Sequence, residues 1–479
     1  MTARQAFTAF EARIDRQWDD EIVPQLVEYI RIPAKSPHFD PQWREHGHIE
    51  AAVGQARRWV EAQRIEGMKL EVIRLEGRTP VLFFDIPARG QGASQKSIVL
   101  YGHLDKQPEM TGWRQGLGPW IPVLEEGRLY GRGGADDGYA VFAAISAIKA
   151  IDAEGVARPR CLGLIETCEE SGSYDLPAYL DALAPRMGDV GLVIALDSGA
   201  GNYDQLWVTT SLRGLVNGTL RVDILTEGVH SGDAGGVVAS SFRIARQLLD
   251  RVDDSRTGAV KPAAFACEIP ADRLEQAGEA AKILGDSLWK RFPWSCCGDE
   301  KIFSQPVTTD PTELILNRTW RAALAVTGAD GLPLPDSAGN VQRPFTTLKL
   351  SLRLPPLVDG ETAARSLKEL LERDPPYRAR VAFEGSGSTG WNAPSTAQWL
   401  ADALDAASSQ LWGKPAAYMG EGGTIPFMSM LNAKFPRAQL LVTGVLGPKS
   451  NAHGPNEFID IRYAKKITAA TAMVIASLA

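Results

Sequence analysis

The chain has 479 residues, 44% of them hydrophobic and 23% charged, with a formal net charge of -7. That composition excludes a disordered or fibrous chain, no run of about 18 apolar residues is available to span a bilayer, and the mild acidity argues against nucleic-acid or anionic-membrane binding. At this length, one large α/β domain or two domains are expected.

Met1 to Phe7 runs directly into the acidic, amphipathic Glu11 to Glu21, without the apolar core or cleavage site of a secretory leader, so a cytoplasmic location is expected. His38, His46 and His48 follow in a Pro- and charge-rich loop and read as solvent-exposed. The five cysteines contain no Cys-x-x-Cys, and the adjacent Cys296 and Cys297 read as free thiols rather than a disulfide framework or a thiolate zinc site.

Short apolar runs then end abruptly in polar residues. Ser97 to Gly102 stops at His103-Leu104-Asp105, Arg160 to Ile165 leads to Glu169-Glu170, and Val190 to Leu196 stops at Asp197. Such runs, alternating with helical stretches such as Tyr139 to Lys149, predict strands buried on both faces of a largely parallel sheet, whose ligands bind beyond the carboxyl ends of the strands. Gln439 to Gly444 repeats the pattern before His453, and a helix from about Arg462 to Leu478 closes the chain.

The middle reads differently. Leu215 to Asp223, Phe345 to Leu352 and Tyr377 to Phe383 alternate, while Ser240 to Leu249 and Glu361 to Glu372 have helical spacing. This order predicts a smaller α+β sandwich, residues 211-390, inserted into a discontinuous domain of residues 1-210 and 391-479. Between Arg251 and Asn340 no period persists, and long loops with short helices are expected there.

The chemistry gathers at the strand ends. The glycines of Gly131-Arg132-Gly133-Gly134-Ala135-Asp136-Asp137-Gly138 lack the Lys-Ser/Thr ending of a phosphate loop and carry two acids where phosphate would sit. With Glu169, Glu170 and Asp197, five carboxylates would converge on one sheet edge without basic partners. A pair of divalent cations resolves that repulsion, and a mixed histidine and carboxylate shell suits zinc or manganese. Asp105, two residues after His103, could orient that imidazole.

Tyr101-Gly102-His103-Leu104-Asp105-Lys106-Gln107-Pro108, the Gly131 to Asp137 loop, Glu169-Glu170-Ser171-Gly172-Ser173, Asp197, Gly228-Val229-His230-Ser231-Gly232, Gly422-Gly423-Thr424-Ile425-Pro426 and His453 together resemble the metallopeptidase family M-twenty, closest to its carnosinase-like cytosolic nonspecific dipeptidases. The family also includes carboxypeptidase G and aminoacylase. The resemblance implies a mostly parallel-sheet α/β exopeptidase domain with an inserted ferredoxin-like lid that also dimerises. It implies two divalent metals per subunit, zinc or manganese, bridged by Asp136, with His103 and Asp197 on one and Glu170 and His453 on the other. Glu169 would be the general base for a metal-bridging water, Asp105 would orient His103, and the Asp136-Asp137 peptide would be cis. His230 would reach into the partner's site to the oxyanion, and Arg353, Gly423 and Thr424 would hold the free C-terminal carboxylate of a small peptide. The implied reaction is hydrolysis of a dipeptide or dipeptide-like amide, the alternative being N-acyl-amino-acid deacylation or carboxypeptidase action on the same scaffold. Gly138-Tyr139, where the family has Lys-Gly, and Gly420, where it has Arg, leave the substrate open.

Overall fold

The computed structural model describes residues 3–297 and 302–478, with the side chains of Cys296 and Cys297 outside that description. The chain forms two compact units, one of Met1–Thr209, Ala393–Met419 and Met430–Ala479, the other of Thr210–Asn392 and Gly420–Ser429.

The first unit is built on a six-stranded sheet in the order Lys69–Ile73, Val81–Ile86, Arg160–Glu166, Ser97–His103, Val190–Ala195 and Gln439–Val442. The first two pairings are antiparallel. The last three are parallel. Every residue of Ser97–His103 and of Val190–Ala195 is buried, which explains why these strands are continuously apolar rather than alternating. Helices Ala140–Ala153 and Ile461–Ser477 pack together, and both are buried over most of their length. Gly102 is required by space, since a Cβ there would lie 2.7 Å from Ala140 Cβ and 2.9 Å from Asp137 Oδ2.

The second unit holds a four-stranded antiparallel sheet in the order Ala323–Asp330, Phe345–Leu354, Gly214–Asp223 and Arg380–Ser388. Gly214–Asp223 and Phe345–Leu354 alternate buried with less buried residues, and their inner faces meet helices Ser241–Leu249 and Gly360–Glu372 around Val216, Leu220, Leu350, Ile244 and Leu367. The four strands of this sheet and these two helices follow one another in the chain as strand, helix, strand, strand, helix, strand, with further helices between the first helix and the second strand.

The 251–340 region holds more regular structure than the long loops with short helices expected there. It contains helices Ala271–Leu284 and Pro311–Thr319 and the sheet's fourth strand, Ala323–Asp330. That strand lies at the edge of the sheet and is exposed on nearly every residue, so no alternation was there to be read. The C-terminal strand of the same sheet runs Arg380–Ser388, later than Tyr377 to Phe383, because Pro376–Arg378 forms a short 3-10 turn first. Gly420–Ser429 packs with the second unit, although the sequence reading put all of 391-479 with the first. The Arg213 guanidinium donating to Gly422 O and the Thr424 hydroxyl donating to Arg213 O hold that segment there.

Candidate metal centre and active site

Three adjacent parallel strands deliver the site. The register sets His103 opposite Glu166 and Tyr101 opposite Ala195, so His103, the Glu169–Ser171 turn and Asp197 leave the sheet at one edge. Asp136 comes from the buried Gly134–Gly138 turn, and the Asp136-Asp137 peptide bond is cis.

Asp136 stands between two imidazoles. Its Oδ1 is 3.3 Å from His103 Nε2, and its Oδ2 is 3.0 Å from His453 Nε2. Asp197 Oδ2 lies 3.8 Å from His103 Nε2, and Glu170 Oε2 lies 3.4 Å from His453 Nε2. Ligand atoms of His103, Asp136 and Glu170 fall within 4.8 Å of one another, as do those of His103, Glu169 and Asp197. His103, Asp136 and Asp197 are buried, whereas the His453 side chain is 55% exposed.

Asp105 is fully buried and holds the backbone of both glutamates. Its Oδ1 accepts from Glu169 N (3.1 Å) and its Oδ2 from Glu170 N (2.9 Å). His103 Nδ1 lies 3.1 Å from the Asp105 backbone oxygen and 3.5 Å from its carboxylate. The nearer partner of the imidazole is therefore the carbonyl, and the carboxylate mainly anchors the glutamate turn.

The charge balance is distinctive. Burial and then the charge of Asp136 push Glu170 up to about 8. Burial raises Asp197 to about 7, with Asp136 adding to the rise and His103 opposing it. Glu169 is held well above the usual carboxylate range by burial and by Asp197, Glu170 and Asp136. For Asp136, burial is outweighed by the two imidazoles, which hold it well below that range. Burial disfavours the charged form of His103, but bonds to Asp105 and Asp136 and the charge of Asp197 leave it well above the usual imidazole value. His453 rises to about 9, desolvation being overcome by Asp136 and Glu170.

Among the described residues, no lysine or arginine pairs with Asp136, Glu169, Glu170 or Asp197. Four carboxylates and two imidazoles drawn together here, with burial and mutual repulsion raising Glu169, Glu170 and Asp197, form a donor set that fits divalent cations. The donors are oxygen and nitrogen without thiolate; the buried Cys161 and Cys168 are not in either cluster.

Three residues that the sequence reading did not single out support this geometry. Gln107 Nε2 donates to Glu170 Oε2 at 2.6 Å. Arg132 forms a buried ion pair with Glu457, and its Nη2 donates to the carbonyls of His453 (3.0 Å) and Gly454 (2.9 Å). Glu457 Oε1 in turn accepts from Gly133 N at 2.8 Å. This clamp ties the Asp136 turn to the His453 loop, where His453 itself has φ 64. Arg132 and Glu457 are visible in the sequence as charges in glycine- and proline-rich turns, but nothing local pairs residues 325 positions apart.

The second unit holds the other predicted residues. Arg353 Nη1 donates to Thr424 Oγ1 at 3.1 Å, and Gly423 is exposed in the same loop. His230 is exposed at the end of the Val229–His230 strand, beside Gly232.

The sequence model of peptidase family M20/M25/M40 matches residues 99–477. The chain belongs to this family. It is accordingly a hydrolase of the peptidase class. This peptidase is 26% identical over 438 residues to the cysteinylglycine-S-conjugate dipeptidase of Corynebacterium striatum, covering 89% of each chain. It is 25% identical to the Cys-Gly metallodipeptidase dug1 of Schizosaccharomyces pombe, covering 92% of each. The crystal structure of human carnosine dipeptidase 1 is similar with a TM-score of 0.74 and 20% identity, over 98% of both chains, a likeness of fold. No helix among the described residues is long and apolar enough to cross a membrane.

Proposed function

We propose that this peptidase hydrolyses the amide bond of dipeptides or dipeptide-like substrates, using two divalent cations, zinc or manganese. The observation that carries the reading is the division of the donors about Asp136, with one carboxylate oxygen beside His103, itself near Asp197, and the other beside His453, itself near Glu170. Relatives named as dipeptidases over about nine-tenths of their length support the substrate class.

In this reading His103 and Asp197 would hold one cation and Glu170 and His453 the other, with Asp136 contributing to both. Bound there, the cations would supply Lewis acidity toward the scissile carbonyl and neutralise charge in the transition state. Glu169 acts as general base, taking a proton from the attacking water and passing it to the leaving amine. Asp105 sets the direction of Glu169 and Glu170 through their backbone N–H groups. Arg353, fixed by Thr424, takes the substrate's C-terminal carboxylate, with Gly423 as a backbone donor in the same loop. The second unit serves as lid and dimerisation domain, and His230 donates to the oxyanion in the partner's site.

Glu169 also lies within reach of His103 and Asp197 as a ligand, which gives a specific second reading. Glu169→Gln separates the two. As base, its loss leaves two metals bound per chain and lowers kcat by about 10²–10⁴; loss of one metal by elemental analysis would make it a ligand instead. Metal-stripped protein reloaded with Zn²⁺ or Mn²⁺ should cleave free dipeptides in preference to N-acyl or N-carbamoyl amino acids with the same C-terminal residue. Turnover confined to the blocked substrates would transfer the protein to the deacylases.

A further inference from the structure

The second unit contains a charge imbalance of the opposite sign. Arg213 is only 9% exposed. Its Nε donates to Gly422 O at 3.2 Å and its Nη1 to the carbonyls of Asn317 and Arg321 at 3.4 and 3.5 Å, while Nη2 has no acceptor and no carboxylate pairs with the group among the described residues. Arg353 is likewise without a carboxylate there; its one bond is to Thr424 Oγ1. The Thr424 hydroxyl donates to Arg213 O at 2.6 Å, which turns its lone pairs toward Arg353 and links the two arginines through one loop. Gly422 completes the arrangement: a Cβ at this position would sit 3.2 Å from Arg213 Nη2, and equally close to Arg318 Cγ and the Arg318 backbone oxygen. The missing side chain leaves that space beside the unused N–H groups.

Buried guanidinium groups are normally paired, and an uncompensated one is costly. Burial first, and then the charges of Arg353 and Arg318, bring Arg213 down to about 10. One substrate carboxylate on Arg353 would compensate one cation and leave the other.

We infer that the Gly422–Thr424 loop forms a subsite for a second negative group, Arg213 Nη2 taking the side-chain carboxylate of an acidic C-terminal residue while Arg353 takes its α-carboxylate. The inference rests on the dipeptidase reading for its substrate and on the second unit alone for its geometry. Favoured substrates are then dipeptides ending in an acidic residue.

The test uses the metal-loaded, full-length protein and two ligands of nearly equal shape, glutarate and its monoamide glutaramate, titrated by calorimetry. Glutarate should bind at least about tenfold more tightly, and Arg213→Gln should bring the ratio below about twofold. A wild-type ratio below twofold, or one that survives in Arg213→Gln, overturns the subsite. If Arg213→Gln does not fold, Gly422→Ala carries the test, because its methyl fills the space beside Nη2; an unchanged ratio there overturns the proposal equally. Dipeptides sharing one N-terminal residue and ending in Glu or Gln are assayed alongside. Turnover with no preference for Glu, together with equal binding of the two acids, refutes the subsite and leaves the dipeptidase reading standing. A glutarate preference with no turnover of any dipeptide keeps the anion subsite and refutes the dipeptidase reading.

Discussion

Stripping the cations should make the stability of this protein fall steeply as pH rises. Asp197, raised to about 7 from an ordinary 3.8, and Glu170, raised to about 8 from 4.5, are protonated in the folded metal-free protein at pH 5 but not in the unfolded one. A carboxyl with a raised folded-state pKa carries no penalty below its unfolded value, and the penalty grows as pH climbs to the folded value. His453, raised to about 9, and His103, also raised, act in the same direction: their contribution is full below the ordinary imidazole value and disappears as pH passes their folded values. Asp136 is depressed, so its contribution is already present above the ordinary carboxylate range and is constant through this window. Asp197 alone, 5% exposed and titrating at about 7, loses roughly 3 kcal/mol between pH 5 and pH 7, at about 1.4 kcal/mol per pH unit. Because the groups influence one another, the others are not simply added to it. The assay is urea unfolding from pH 5 to pH 9 with chelator, repeated after reloading with Zn²⁺. The chelated protein should lose about 3 kcal/mol or more across that range. The reloaded protein should hold or gain stability, since ligation needs the deprotonated carboxylates and neutral imidazoles. Chelated protein whose stability is flat or rises between pH 5 and pH 9 would refute the argument that this cluster is strained by unneutralised charge.

Arg132→Met should destabilise the first unit by about 3–5 kcal/mol, because Glu457 is left buried and unpaired, and elemental analysis should show metal lost as the His453 loop is released. Asp105→Asn can accept from only one of the two glutamate N–H groups through its single oxygen; metal affinity measured by chelator competition should drop about 10–100-fold with the melting transition preserved. Arg353→Met should raise KM for free dipeptides with a smaller change in kcat, as expected for loss of a ground-state contact, and an unchanged KM would remove it from the substrate site. Gly102→Ala should cost about 1–3 kcal/mol in unfolding experiments, since its methyl would meet Ala140 at 2.7 Å in a buried layer.

The elements that the sequence displayed clearly were those whose burial pattern is local. Ser97–His103 and Val190–Ala195 are apolar on both faces and stop at a polar residue, and Gly214–Asp223 and Phe345–Leu354 alternate because each has one face on a core. Ala323–Asp330 was hidden because an exposed edge strand needs no apolar period, and its place is decided by pairing with Phe345–Leu354.

Chemistry divided in the same way. Residue type and position at strand ends marked His103, Asp136, Glu169, Glu170, Asp197 and His453 as candidates, since unpartnered acids beside imidazoles are a property of the residues themselves. Only the folded chain decided that Asp136 faces both imidazoles, that Asp105 grips the backbone of the glutamate turn, and that Arg132 and Glu457 clamp the His453 loop. Only it showed Arg213 near Arg353 with no carboxylate paired to either among the described residues. The reason is physical. A side chain's donors and charge travel with its residue type, but their partners come from chain segments tens to hundreds of positions away, and which of them meet is settled by how strands, turns and buried charges pack in three dimensions.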